Sequence, residues 1–339
     1  MRRVLIAMSL LAAIALTATF AARPVEAAGP DHLDCAYPFW VGFGPVHLAN
    51  ELGYFKDEGI TVNEIIDDDI SNAYAAMERG DIDCYLRSVG EYQGRPRTPQ
   101  MQGIIIGTID ESNGGDGVVA DGSIKSVCDL KGKTVATEPN LPATLILQMA
   151  MKSKCNLTFD SLNRVDIASQ DAGSIFADPS VSAVGAYEPV LTQAVQAHKD
   201  RGAYVIVSSR DYPHLITDTI IARTDNLKSQ PEKYVKFLRA IYRAIDYIGK
   251  EPDKAIAIMA AQFKLSPDEF KETIANINYI GLDQSVELMG TDGKPGKLHD
   301  IFTEIMQLNI ENGAADIKLE ADKQIDNSII SQVWKSRAQ

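Results

Sequence analysis

Histidine, tryptophan and cysteine are scarce in this 339-residue sequence, and each scarcity closes off a chemistry. His32, His47, His198, His214 and His299 are scattered, and the four cysteines show no CxxC spacing, so no metal-ligand set is legible and none is expected. There is no Gly-x-Ser-x-Gly, no His-Glu-x-x-His and no phosphate loop, which removes the common hydrolase, metalloprotease and nucleotide-binding signatures. Long apolar runs are missing too, apart from one. Val4–Ala22 carries no acid, Arg2-Arg3 precedes it, and Val25-Glu26-Ala27 offers residues that a signal peptidase reads. The expectation is a signal peptide over residues 1–27, cleaved near Ala27, with Ala22 as the second choice. A membrane anchor fits less well, because the run is short and alanine-rich and Arg23-Pro24 follows.

Bases are also in short supply. Removing residues 1–27 takes away three arginines and one glutamate, leaving 30 bases against 45 acids, a net charge near −15. Such a surface repels nucleic acid and anionic lipid, so neither is expected as a partner. Cys35 lacks the Leu-Ala-Gly type of sequence that precedes a lipid-modified cysteine. The expected product is a soluble, periplasmic monomer without a cofactor. In an oxidising compartment its four cysteines, Cys35, Cys84, Cys128 and Cys155, point to disulfides.

What the chain does have is 45% hydrophobic residues and 23% charged ones, an ordinary globular mixture with length for two domains of roughly 100–200 residues. The organising stretch is Gly103–Ala120, GIIIGTIDESNGGDGVVA. Ile104–Ile106 reads as a buried strand, broken at Gly107 and followed by a polar segment over residues 110–113. Gly114-Gly115 supplies backbone freedom, and residues 117–120 start a second strand. A chain does this when it crosses from one sheet to another; an ordinary hairpin with solvated acids is the alternative.

In order along the chain, strands are predicted at Leu33–Tyr37, Ile60–Ile66 and Ile82–Leu86. Helices lie between them: one from Pro45 to Leu52, and one over Asn72–Arg79 capped by Ser71 and closed by Gly80. This alternation implies parallel pairing in a doubly wound sheet with its crevice at the strand C-termini. Further strands are predicted at 133–137, 165–168, 181–186 and 204–207, with helices from about 140 to 154, over 171–177 and over 189–198. Residues 219–222 read as the return crossing. The last third carries an apolar stripe at helical spacing through Tyr234, Phe237, Leu238, Ile241, Tyr242, Ile245 and Ile248, then helices over 252–263, 267–277, 295–312 and 326–334. It reads as padding for the first lobe.

The segment VGFGPVHLANELGYFKDEGITVNEI (41–65) resembles the opening of the ABC-transporter solute-binding proteins of the nitrate, sulfonate and taurine group, which includes thiamine-pyrimidine binders. IDESNGGDGVVA (109–120), VCDLKGKTVAT (127–137) and AVGAYEPVLTQA (183–194) fit the same pattern in the same order. The resemblance implies an α/β type 2 periplasmic-binding fold, two doubly wound lobes joined by two hinge crossings. Lobe one is expected to comprise residues 28–110 and 217–339, and lobe two residues 111–216. It also implies a small-molecule ligand held between closing lobes and a membrane ABC permease as partner. On this sheet order Cys35 and Cys84 fall on neighbouring strands, and Cys128 and Cys155 share the second lobe, so the pairs expected are 35–84 and 128–155.

The candidate ligand-binding residues follow from crevice position. Trp40 and Phe43 lie on the loop after the first strand, as pocket wall or as hinge packing. Arg87 and Ser88 follow the third strand, where an arginine either forks onto an anion or stays solvated. Asp110 and Ser112 stand at the crossing, Asp110 assigned to the ligand and Asp116 to the turn. Asn140 and Thr144 open the helix that relatives use for oxyanions, but Leu141 and Pro142 replace the small donors expected there. Tyr187 is expected to face the cleft, Glu188 to bind a ligand NH or cap the next helix, and Asp218 to stand on the return crossing. The acid excess over Arg87 suits an amine, amidine or heterocyclic NH.

The function expected is therefore capture, by lobe closure, of a small polar nitrogen- or sulfur-containing organic solute for an ABC importer. The alternatives are a simple oxyanion such as nitrate or an alkanesulfonate, or a periplasmic sensor subunit. Last comes an enzyme like thiamine-pyrimidine synthase, against which the absence of a clustered cysteine and histidine argues.

Overall fold

The computed structural model describes residues 31–139 and 141–337, so the expected signal peptide lies outside the described residues. In chain order the strands of its two large sheets are β1 (His32–Tyr37), β2 (Thr61–Ile66), β3 (Cys84–Ser88), β4 (Ile104–Ser112), β5 (Asp116–Ala120), β6 (Thr134–Thr137), β7 (Asn163–Asp166), β8 (Val181–Tyr187), β9 (Tyr204–Ser208), β10 (Thr217–Ala222) and β11 (Ile277–Tyr279). The first sheet has the order β11-β4-β10-β3-β1-β2, the second β7-β6-β8-β5-β9. In each, parallel strands carry helical crossovers: β1 pairs with β2 and β3, and β6 with β7 and β8. The crossing strands run antiparallel to them, with β10 wedged between β3 and β4 and β5 between β8 and β9.

The chain leaves the first sheet at Ser112, turns through residues 113–115 with Gly114 at φ 112°, and enters the second at Asp116. It returns from β9 through a short turn at Ser209–Asp211. The two crossings are tied side by side. Ser209 Oγ lies 2.8 Å from Ser112 Oγ and accepts from the Gly114 amide at 2.7 Å, while Arg210 donates to the Asn113 carbonyl and to Asn276 Oδ1. The sequence-based boundary at 110/111 thus falls inside β4, two residues short of the turn.

Away from the crossings the lobes touch again. Helix Pro142–Cys155 of the second lobe lies against helix Leu298–Glu311 of the first. Gln148 Nε2 donates to the Leu308 carbonyl at 2.9 Å, Asn312 Nδ2 donates to Gln148 Oε1 at 2.7 Å, and Lys152 pairs with Glu311 at 2.6 Å.

Local chemistry explains the elements, and several differ from expectation. Helix Ile70–Arg79 is capped by Asp69, whose Oδ1 accepts from the Ser71 amide at 2.8 Å, so Ser71 lies inside the first turn and is not the cap. Strand β3 runs on through Arg87 and Ser88, which are therefore strand residues and not loop residues. Gly107 does not break its strand. It pairs with Ile220 next to an irregularity in the β4–β10 register, where a side chain would press against Tyr242 Oη at 3.0 Å. The helix expected to reach Ile277 stops at Ile274, and Ile277–Tyr279 instead edges the first sheet beside β4. The long helix Pro231–Lys250 buries its predicted stripe from Tyr234 to Ile245, with Ile248 half-buried, and Phe237 stacks on Phe55 at 5.4 Å between centroids. Each such large apolar side chain contributes about 1.5–3 kcal/mol on burial.

Both disulfides expected are present. Cys35 and Cys84 sit opposite one another across β1 and β3, with Cα atoms 4.6 Å apart, and Cys128 joins Cys155 over a Cα separation of 5.5 Å. The second pair ties the turn Val127–Leu130 to the end of helix Pro142–Cys155, across a sequence separation of 27 residues. Replacing both Cys128 and Cys155 by serine is expected to lower stability by ~2–4 kcal/mol, chiefly by freeing the unfolded chain. Urea unfolding checks this. A loss well below 1 kcal/mol would show that the bridge does not constrain the lobe.

Candidate functional site

A cavity of about 410 Å³ opens between the two sheets. Loops at the C-terminal ends of β1, β2 and β6 and residues of both crossings line it, as the doubly wound topology requires. Its aromatic wall is Trp40 and Phe43 from the first lobe and Tyr187 from the second, with the Trp40 and Tyr187 rings edge to face at 6.0 Å. Leu141, Pro142 and Ile70 add to the apolar lining.

The polar lining is lopsided. Among the described residues, Asp68, Asp69, Glu91, Asp116, Glu138 and Asp218 face the cavity, against Arg87 alone among the cations. Four of these acids already have donors. Asp68 Oδ1 accepts from the Phe39 amide at 2.8 Å, Asp69 caps its helix, and Glu138 Oε2 accepts from the Ser169 amide at 2.7 Å. Glu91 Oε2 takes the amide and hydroxyl of Ser88 at 3.1 and 2.8 Å. Asp116 and Asp218 differ, since among the described residues neither receives a backbone amide. Burial drives both carboxyls upward. Asp116 is pushed up to about 8, and Asp218 is held well above its ordinary value by burial and by the nearby Asp110 carboxyl.

Arg87 is buried and largely committed. Its Nη2 donates to the Asp67 carbonyl at 2.7 Å, and Nη1 lies 3.7 Å from Glu91 Oε1.

Of the residues singled out in the sequence, Trp40, Phe43, Arg87, Tyr187 and Asp218 come together around the cavity. Two assignments are exchanged. Asp110, expected to face the ligand, lies behind Trp40, whose indole N–H donates to Asp110 Oδ1 at 3.2 Å, whereas Asp116, expected to serve the turn, lines the cavity. The reason is alternation: the irregular register of β4 turns Asp110 toward Trp40 and Asp218, and β5 begins on the cleft side. Ser88, Ser112, Thr144 and Glu188 are not on the cavity wall. Ser88 caps helix Val89–Gln93, Ser112 binds Ser209, Thr144 Oγ1 donates to the Glu138 carbonyl at 2.9 Å, and Glu188 accepts from the Thr192 amide and hydroxyl. Asn140 lies outside the described residues.

Sequence reasoning missed Asp68, Asp69, Glu91, Glu138 and Gln170. Asp67–Asp69 and Glu138 directly follow parallel strands, the same rule that selected Trp40, and Ser88-x-x-Glu91 is a legible capping box. Gln170, which donates to Tyr187 Oη at 3.1 Å, likewise follows the parallel strand β7.

Two α/β lobes, two crossings and a crevice between them define the periplasmic-binding-protein fold. The chain belongs to the NMT1/THI5-like family, which it matches over residues 40–255. A Brucella abortus protein that bears the provisional name of a binding protein is 21% identical over 251 residues, 74% of this chain and 76% of that protein. The periplasmic aliphatic sulphonate binding protein SsuA of Escherichia coli has the same fold at a TM-score of 0.71 and 14% identity, covering 88% of this chain and 93% of that one. The periplasmic nitrate-binding protein NrtA of Synechocystis PCC 6803 follows at 0.67 and 12%, covering 91% and 88%. The fold also serves an enzyme, the desulfurization enzyme DSZB, at 0.62 and 13% identity, covering 91% and 99%. No described helix is long and apolar enough to cross a membrane.

Two tests follow from the geometry. Trp334 is exposed, so Trp40 is the tryptophan whose emission reports the cavity. Removing its indole N–H in Trp40→Phe is expected to cost ~1–3 kcal/mol of stability, because Asp110 loses a buried partner. It is also expected to abolish any ligand-dependent fluorescence change, which Trp334→Phe keeps. A ligand response surviving in Trp40→Phe would move the binding site elsewhere.

The second test concerns pH. The folded chain holds a proton on Asp116 over the interval in which the unfolded chain has lost it, from about pH 4 to about pH 8. Stability of the ligand-free protein therefore falls as pH rises through that window, by up to about 1.4 kcal/mol per pH unit for each such proton. Asp116→Asn is expected to flatten this slope and to be more stable than the parent at pH 8. Chemical denaturation at stepped pH measures it, and an unchanged slope would show Asp116 ionised throughout.

Proposed function

We propose that this chain is the solute-binding component of an ABC importer. It takes up a small, polar, nitrogen-containing organic solute in the periplasm and delivers it to a membrane permease. The observation carrying this reading is the composition of the crevice: an aromatic wall contributed by both lobes, six carboxylates, and one guanidinium already engaged with Asp67 and Glu91. Acceptors without amide partners, Asp116 and Asp218, suit ligand N–H groups, and Trp40 and Tyr187 suit a flat or apolar body. The lobes that close are residues 31–112 with 217–337 and residues 116–208, hinged at the paired crossings. Delivery to a receptor in place of a permease would use the same crevice.

A second reading, a simple oxyanion, draws on Arg87 Nε, which is buried and has no hydrogen-bond partner among the described residues, and on the sulfonate- and nitrate-binding relatives in fold. The two readings separate by pH as well as by ligand. A solute donating N–H to ionised carboxylates binds more tightly as pH rises, and an oxyanion less tightly.

A thermal-shift screen of amines, amidines, ureas and heterocycles against nitrate and alkanesulfonates is the test. A ligand at 100 times its dissociation constant raises stability by ~2.7 kcal/mol. For the tightest ligand, Asp116→Asn is expected to weaken binding by about 10–150-fold, the loss of a charged partner worth ~1.5–3 kcal/mol. Nitrate or an alkanesulfonate as the tightest ligand, with affinity falling as pH rises, would replace this reading by the oxyanion one.

A further inference from the structure

Resting on the reading of the crevice as a solute site, we propose that its ligand is an organic cation lacking any carboxylate or sulfonate. We further propose that it is bound in exchange for protons held on Asp116 and on the pair Asp110–Asp218.

The pair is set by backbone register. Asp218 on β10 lies directly opposite Asp110 on β4, both side chains are buried, and their carboxyls are within hydrogen-bonding reach. Asp110 Oδ1 takes the Trp40 indole N–H, while Oδ2 is buried with no donor among the described residues. Two carboxylates in such contact, shielded from water, do not both ionise; one shared proton both removes the repulsion and gives the stranded acceptor a donor.

The charges facing the pair do not relieve it. Glu111 neighbours Asp110 on its own strand, Tyr279 lies opposite Asp110 on β11, and Glu91 bears on Asp218 from the helix after β3. Asp116, across the crossing, faces both members of the pair, with Glu188 beyond it. Arg87, on β3, is the nearby cation. It donates to the Asp67 carbonyl and faces Glu91, so it leaves the acids in excess. Burial pushes Asp116 to about 8 and Asp110 to about 7, and raises Asp218 as well.

Protons on Asp116 and on the pair therefore reduce the crevice's excess of negative charge at the crossings. An entering cation does electrostatically what the protons did: the O–H bonds on Asp116 and on the shared pair break, the protons pass to solvent, and the two carboxylates that line the cavity, Asp116 and Asp218, accept the ligand's N–H groups. A zwitterion gains nothing comparable, because its anionic end meets Asp68, Glu138 and Glu91, and among the described lining residues the one cation, Arg87, already has its Nη groups turned to Asp67 and Glu91.

The test has a ligand-free arm and a ligand arm. Infrared spectroscopy of the empty protein at neutral pH is expected to show a protonated-carboxyl band that shrinks in Asp218→Asn and in Asp110→Asn, the second variant serving where the first does not fold. Calorimetry then compares benzamidine, benzenesulfonate and 4-(aminomethyl)benzoate, which share a flat ring and differ in charge, in two buffers of unlike ionisation heat. Benzamidine is expected to bind with net proton release and an affinity rising by up to about tenfold per pH unit per proton released. The other two are expected to bind at least tenfold more weakly.

Absence of the band, or benzamidine binding without proton release, overturns the exchange and leaves the solute reading standing. Preference for benzenesulfonate overturns the cation class and the nitrogenous reading together. Failure of all three to bind while the band is present overturns the cation class proposed here and leaves the screen of the preceding section to decide the solute reading.

Discussion

Strand β10 is inserted antiparallel between β3 and β4, and most of the site depends on that pairing. It brings the return crossing alongside the outward one, where Ser209, Ser112 and Gly114 lock the two connections together. Its register also fixes Asp218 against Asp110 and presents Asp218 to the cavity. Sheet pairing here does two jobs with one set of backbone bonds: it builds the hinge and it concentrates acid at the hinge. A register slip by one residue would turn Asp218 away from the cleft and bring Thr217 or Thr219 into its place.

The acids that result are held in a low-dielectric seam, and their cost is distributed over particular partners. Backbone amides take up Asp68, Asp69 and Glu138, the Ser88 cap takes up Glu91, and Thr192 takes up Glu188. Asp110, Asp116 and Asp218 lie nearest the crossings and depend on neighbours that are mostly acids themselves. Excess charge of one sign is thus placed where two lobes meet, so a bound molecule of the opposite sign would draw both lobes toward it.

Much of this was legible in the sequence. Strand–helix alternation with Gly, Pro and cap signals places β1 to β3, the glycine joint at 114–115 marks the outward crossing, and neighbouring strands pair Cys35 with Cys84. Trp40, Arg87, Tyr187 and Asp218 follow from the rule that crevices form at strand ends. What was not legible was side-chain direction. The choice between Asp110 and Asp116 turns on an irregularity around Gly107 and Asp218/Thr219, and no local residue pattern announces which carboxyl it rotates inward. Strand β11 is only three residues long, too short for alternation to register against the helical pattern around it.

The contact between helices Pro142–Cys155 and Leu298–Glu311 has a consequence for how the molecule moves. Its bonds, from Gln148 to the Leu308 carbonyl, from Asn312 to Gln148 and between Lys152 and Glu311, join opposite lobes at a distance from the crossings. If the lobes rotate about the crossings, this second fastening would act as a clasp whose three polar contacts resist the widening of the cleft. Polar fastenings exchange readily for water, and the half-exposed Lys152–Glu311 pair is worth only ~0–1 kcal/mol. Such a clasp would set a threshold for opening without welding the lobes, and ionic strength would act on that threshold from outside the cavity.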